Sequence, residues 1–256
     1  MPGQTGIAGR VALVTGAAAG LGLAIAQRLA RDGAHTYLAD VNLPGALAAV
    51  AELRAAGFQA DAIELDVADH AAVDRVFAEH FADRIDILVN NAGILRTGPE
   101  VQETTDQAWE DTLAVMQSGV FYGIRAAGRV MVRQRSGSIV NIASIRGFSS
   151  MPGRTTYSTH KAAVIMMTKV AAAELGKYGI RVNSVAPGFV RTSMHQIDVE
   201  RGVTDEAYYL RTIPLGRFGE PEDVAQVVRY LAGPESSYVT GHCLVVDGGL
   251  TCIASG

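Results

Sequence analysis

The sequence predicts a single α/β domain built as three layers, with a doubly wound parallel sheet between two layers of helices. Three observations carry this. Short β-branched or apolar runs alternate with longer alanine-rich helical patterns from end to end, which implies right-handed strand-helix-strand units. At 256 residues, 48% of them hydrophobic, the chain can fill one large core. No proline- or serine-rich linker, internal repeat or low-complexity tract divides it, so residues 1–256 read as one domain.

In chain order, Arg10 to Thr15 is the first strand, an apolar run that passes straight into glycines and a helix over Leu21 to Asp32. His35 to Ala39 is the second strand, followed by a helix over Leu43 to Ala56. Gln59 to Leu65 and Ile85 to Asn90 are the third and fourth strands, separated by a helix over His70 to Phe81. A long helix is expected over Thr105 to Arg135, then a strand over Gly137 to Ile142. A second long helix over Thr155 to Tyr178 leads to a strand over Ile180 to Ala186. Pro221 to Leu231 is the last helix and Cys243 to Val246 the last strand. The irregular stretch from 188 to 217, mixed polar and aromatic, reads as a substrate loop.

Composition narrows the function. A net charge of -4, with no Lys/Arg cluster, argues against nucleic-acid or anionic-membrane partners. Met1 to Arg10 lacks the features of a secretory leader, and no segment gives about 18 uninterrupted apolar residues. A cytoplasmic protein is expected. Cys243 and Cys252 are the only cysteines, too few for a disulfide framework or a cysteine zinc site. Both are expected to be small buried hydrophobes, and no metal is expected in the chemistry.

The first strand runs into Thr15-Gly16-Ala17-Ala18-Ala19-Gly20-Leu21-Gly22. Glycines there let the backbone approach a pyrophosphate while the helix N-terminus presents free N–H groups. Asp40, eighteen residues after Gly22, closes the second strand and can accept hydrogen bonds from ribose hydroxyls while repelling a 2′-phosphate. With no arginine at Ala17 to Ala19 or Val41, NAD is favoured over NADP.

Tyr157 and Lys161 lie four residues apart in a helical segment, so a phenol and an ammonium share one face. A free tyrosine titrates near pKa ~10, and a neighbouring cation favours the phenolate. Tyr157 could then act as general acid or base. Ser144, at the carboxyl end of the strand through Ile142, could orient a substrate oxygen. It lacks the Gly-x-Ser-x-Gly turn of a serine hydrolase. His160 is turned about 100° from Lys161 on an ideal helix and reads as structural.

From Arg10 to Gly249 the chain resembles the short-chain dehydrogenase/reductase family. Besides the glycine turn and Asp40, the resemblance rests on Asp66-Val67, Asn90-Asn91-Ala92-Gly93, Ser144 thirteen residues before Tyr157, and Pro187-Gly188 leading to Val190 and Thr192. It implies an extended Rossmann sheet of seven strands. It also implies Asp66 and Val67 at the adenine, Asn90, Asn91 and Gly93 behind the ribose, and Val190 and Thr192 at the carboxamide. Tyr157 and Lys161 would be both catalytic and cofactor-binding, and a homotetramer is implied. One position departs from the pattern: Met116 stands where the family commonly has a catalytic asparagine, which puts the family's water relay in doubt. Gln117 faces about 100° away on an ideal helix.

The expected function is an NAD-dependent oxidoreductase that interconverts a secondary alcohol and a ketone, with Ser144 holding the oxygen and Tyr157 moving the proton. An NADP-linked ketone reductase of the same fold, or a catalytically silent nucleotide sensor or scaffold, are the alternatives. Substrate-pocket candidates are Arg146, Phe148, Met151, Arg154, Phe189, Met194, His195 and Tyr208, an array mixing anion-binding and apolar groups.

Overall fold

A computed structural model describes residues 6–94, 98–192, 199, 202 and 205–252. Seven strands form one parallel sheet: β1 Val11–Thr15, β2 His35–Asp40, β3 Ala60–Glu64, β4 Ile87–Asn90, β5 Gly137–Ile142, β6 Ile180–Pro187 and β7 Cys243–Val246. Their spatial order is β3-β2-β1-β4-β5-β6-β7. The order reverses between β1 and β4, so the helices that follow these two strands leave on opposite faces and a crevice opens above their carboxyl ends.

The helices are α1 Gly20–Arg31, α2 Leu43–Ala55, α3 His70–His80, α4 Asp106–Leu113, α5 Gly119–Gln134, α6 Thr155–Leu175, α7 Glu206–Thr212 and α8 Pro221–Ala232. Both faces of the sheet are covered, as the near-continuous apolar strands require. Alternation along β1 shows the division: Ala12 and Val14 enter the core with Ile25, Leu29, Val224 and Val228, while Leu13 enters the core with Phe77, Phe81, Val120 and Val164. α1 buries Ile25, Ala26, Leu29 and Ala30 as one stripe. Across from it α8 is tied on by Arg28 to Glu222 at 2.8 Å and Arg229 to Asp32 at 2.9 Å.

Several expectations change. The helix expected over Thr105 to Arg135 is α4 and α5 joined by a π-helical turn, Ala114–Ser118. The helix expected through Tyr178 ends at Leu175, with a 3-10 turn over Gly176–Tyr178. The irregular 188 to 217 stretch contains α7, capped by Asp205, whose Oδ1 accepts from the Tyr208 amide at 3.0 Å. Cys243 is half-buried, and Cys252 is exposed rather than a buried hydrophobe. Among the described residues no helix is long and apolar enough to cross a membrane.

Candidate active site

The carboxyl ends of β1 to β6 converge on one cleft of about 460 Å³. β1 supplies its floor through the turn beginning at Gly16. That residue sits at φ +65, and a Cβ there would stand 2.8 Å from Ala92 Cα. Only glycine fits both constraints. A Cβ on Gly22 would overlap the carbonyl of Gly16, so glycine lets α1 pack directly on the turn. The first residue of α1 is Gly20, and its N-cap, Ala19, offers no side-chain cap. The first N–H groups of α1 therefore remain for an anion at the helix's positive end. Gly16, Gly20, Leu21 and Gly22 all line the cleft, and a dinucleotide pyrophosphate fits this cradle.

The β1 and β4 ends are locked together. Asn91 Nδ2 donates to the carbonyls of Thr15 at 2.9 Å and Gly16 at 3.0 Å, while the amides of Asn91 and Ala92 each donate to Thr15 Oγ1 at 3.1 Å. Asp40 ends β2 with both carboxylate oxygens fixed, Oδ2 by the Ala18 amide and Oδ1 by the Asn42 amide, each at 2.9 Å. Asp66 and Val67 follow β3 into the same cleft, as do Gly93, Val190 and Thr192 from beyond β4 and β6.

Asn90, expected behind the ribose, stands one layer deeper than its neighbours Asn91 and Gly93. It does not line the cleft but is buried beneath it, with Nδ2 donating to Asn141 Oδ1 at 2.8 Å. Asn141 Nδ2 donates in turn to Thr168 Oγ1 at 3.0 Å, and Thr168 donates to the Val164 carbonyl at 2.8 Å. This buried chain couples β4, β5 and α6, and so fixes the helix that carries Tyr157 and Lys161 against the strand that leads to Ser144.

At that end of the cleft Ser144 is buried, in extended backbone just beyond β5, with Oγ accepting from the Arg146 amide at 3.1 Å. Lys161 is fully buried, its Nζ donating to the carbonyl of Ile142 at 2.6 Å and lying 5.8 Å from the centre of the Tyr157 ring. Burial pushes the Lys161 ammonium down from 10.5 to about 8, because charge is disfavoured away from water. It remains mostly protonated at pH 7. The three residues that sequence reasoning singled out thus share one end of one cleft.

Met116 also lines the cleft, 1% exposed, on the π-helical turn. Gln117 turns the other way, its Oε1 lying 2.9 Å from His160 Nδ1. Burial holds the His160 imidazole below its ordinary value. His160, whose ring lies 4.7 Å from that of Trp109, is a structural tie between α6 and the turn.

Of the candidate pocket residues, Arg146, Met151, Arg154 and Phe189 line the cleft. Phe148 and Tyr208 do not, and are more than half exposed. Met194 and His195 lie outside the described residues. Sequence reasoning missed Ile94, Val115 and Tyr209. Tyr209, adjacent to the chosen Tyr208, packs tilted against Phe189 with ring centres 4.0 Å apart, and one residue of helix phase separates the inward tyrosine from the outward one.

Comparison with known proteins agrees with this geometry. A family model described as Enoyl-(Acyl carrier protein) reductase matches residues 16–251. Cyclopentanol dehydrogenase of Comamonas sp. (strain NCIMB 9872) is 42% identical over 246 residues, covering 94% of this chain and 97% of the relative. The 3-oxoacyl-acyl-carrier-protein reductase FabG of Thermotoga maritima is 41% identical over 244 residues, covering 94% and 98%. Among solved structures, a gluconate 5-dehydrogenase from Burkholderia cenocepacia J2315, in complex with NADP and tartrate, superposes with a TM-score of 0.89 at 36% identity, covering 96% of this chain and 97% of that one.

Proposed function

Because the chain belongs to the short-chain dehydrogenase/reductase family, we propose that it is an NAD-dependent dehydrogenase interconverting a secondary alcohol and its ketone, in the cytoplasm and as a homotetramer. The observation that carries this reading is the meeting of Ser144, Tyr157 and a buried, charged Lys161 at one end of a dinucleotide-sized cleft. When bound, the nicotinamide accepts a hydride from the alcohol carbon or returns it to the ketone.

The protein's own part is orientation and proton transfer. In the oxidative direction Ser144 Oγ–H donates to the substrate oxygen and fixes it beside Tyr157. Tyr157 Oη, as phenolate, takes the hydroxyl proton as the carbonyl forms. The Lys161 ammonium favours that phenolate and, held by the Ile142 carbonyl, keeps further protons for the nicotinamide ribose hydroxyls. In reduction the same phenol returns the proton to the carbonyl oxygen. Tyr157→Phe should lower kcat by at least about a hundredfold, the usual worth of a general acid or base. NAD affinity, measured by calorimetry, should stay near wild type. A mutant turning over normally would sink the assignment.

Choice of cofactor follows from Asp40. Its carboxylate is held by two backbone amides at the end of β2, where it can accept from adenosine ribose hydroxyls and repel a 2′-phosphate. Among the described lining residues, the basic groups are Arg146, Arg154 and Lys161, all at the opposite end. The NADP found with the Burkholderia gluconate 5-dehydrogenase supports a second reading, an NADP-linked reductase. Comparing kcat/KM for both cofactors decides between them: wild type should prefer NAD, and Asp40→Ala should weaken NAD and relax rejection of NADP.

A further inference from the structure

Phe189 follows β6 with its backbone pinned on both sides. The Gly188 amide donates to the Val246 carbonyl and the Gly219 amide to the Phe189 carbonyl, each at 2.9 Å. Its ring is held from three directions. Tyr209 of α7 packs against it with ring centres 4.0 Å apart, Phe218 meets it edge-on at 6.1 Å, and the Arg146 guanidinium carbon lies 5.8 Å from its centre. The Arg146 amide is in turn bonded to Ser144 Oγ, so this aromatic cluster adjoins the group that orients the substrate oxygen.

The wall around it is mostly hydrocarbon. Ile94, Val115, Met116 and Met151 line the cleft with Phe189 and Tyr209, and of these six side chains only Tyr209 carries a strong hydrogen-bonding group, its hydroxyl. Arg146 lays its guanidinium against the Phe189 ring, and Arg154, 6% exposed, offers a ligand little surface. A second hydroxyl or a carboxylate on the substrate would exchange water for a wall poor in partners, at a cost. A CH2 group placed there gains in proportion to the area it hides.

We propose that the substrate is an uncharged secondary alcohol on a hydrocarbon skeleton, and that Phe189, held between Tyr209 and Arg146, is the residue that selects it. The skeleton lies against the Phe189 ring while Ser144 and Tyr157 hold the carbinol oxygen. Polyols and hydroxy acids are rejected at this wall although their carbinols are chemically competent. The inference rests on the dehydrogenase reading of the same site.

The test compares kcat/KM, at saturating NAD, for cyclohexanol and tetrahydropyran-4-ol, ring alcohols of nearly equal shape in which one CH2 is replaced by oxygen. Wild type should prefer cyclohexanol by at least about tenfold, the usual worth of such a change in an apolar pocket. Following the ratio through variants cancels the intrinsic reactivity of the two alcohols. Phe189→Leu, which stays apolar, should largely keep the preference, whereas Phe189→Asn should abolish it. Met151→Gln should reduce it severalfold, and serves if Phe189→Asn does not fold. Equal use of the two alcohols by wild type would overturn the proposal. So would a higher kcat/KM for inositol or for 3-hydroxycyclohexanecarboxylate than for cyclohexanol, or an unchanged ratio in folded Phe189→Asn. Oxidation of none of these alcohols fails the dehydrogenase reading instead. The same ring alcohols titrated by calorimetry into the NAD-saturated protein then decide the substrate class: tighter binding of cyclohexanol by about tenfold supports it, and equal binding overturns it.

Discussion

Lys161 is an ammonium in a fully buried site, and its fall from 10.5 to about 8 corresponds to roughly 3 kcal/mol of stability lost to desolvation. Between these values the unfolded chain binds more protons than the folded one, so stability rises with pH there. The cost is fully present below pH 8 and relieved as pH climbs toward 10.5. Lys161→Met should therefore leave the protein without cofactor about 1–3 kcal/mol more stable at pH 7, partly offset by the lost bond to Ile142. That gain should shrink by pH 10, and turnover should vanish. Urea unfolding at both pH values and one protein concentration checks this, and a destabilised variant at pH 7 would refute it. Such residues were legible because spacing alone puts Tyr157 and Lys161 on one face and Ser144 at a strand end. The burial of Arg154 was not, because it arises from contacts across the chain that no local pattern records. Nor was the bond that buries the Asn90 side chain, whose partner, Asn141, is 51 residues away.

At the scale of elements, the π-helical turn Ala114–Ser118 decides what the family's missing asparagine leaves behind. One extra residue in the turn shifts the phase of everything after it, which periodicity read along the long helix could not reveal. It points Met116 into the cleft and Gln117 at His160, so the neighbouring amide is committed elsewhere. A thioether cannot carry a chain of water-mediated protons. Met116→Asn should accordingly raise kcat and change its pH and solvent-isotope dependence in alcohol oxidation, with the Kd for NAD little altered. If all three kinetic measures are unchanged, the proton path is already complete through a backbone carbonyl and water, and Met116 is packing. Element boundaries were otherwise close to expectation, except that α7 went unseen. With seven residues, it is too short to show an apolar stripe, and Asp205 was its only local signal.

At the scale of the whole molecule, alternation of strand and helix was enough to predict a parallel sheet, because parallel neighbours need crossover connections, and the near-continuous apolar strands were enough to predict cover on both faces. Strand order was not deduced from alternation. It depends on where the chain reverses, between β1 and β4, which leaves no compositional mark. The surface adds the argument for assembly. Phe121 on α5 is 47% exposed, and Met166 and Val170 on α6 are 58% and 49% exposed. Met166 and Val170 are one turn apart and share a face. Apolar residues of this size on two adjacent long helices are covered when symmetry mates pair through them. Light scattering at micromolar concentration should give about four times the 26.9 kDa chain mass. Paired Met166→Glu and Val170→Glu substitutions place like charges against each other across a two-fold axis and should split the assembly. A wild-type monomer would contradict the assembly outright. A tetramer that survives both charges would move the interface off α6, leaving those residues as solvent-facing surface.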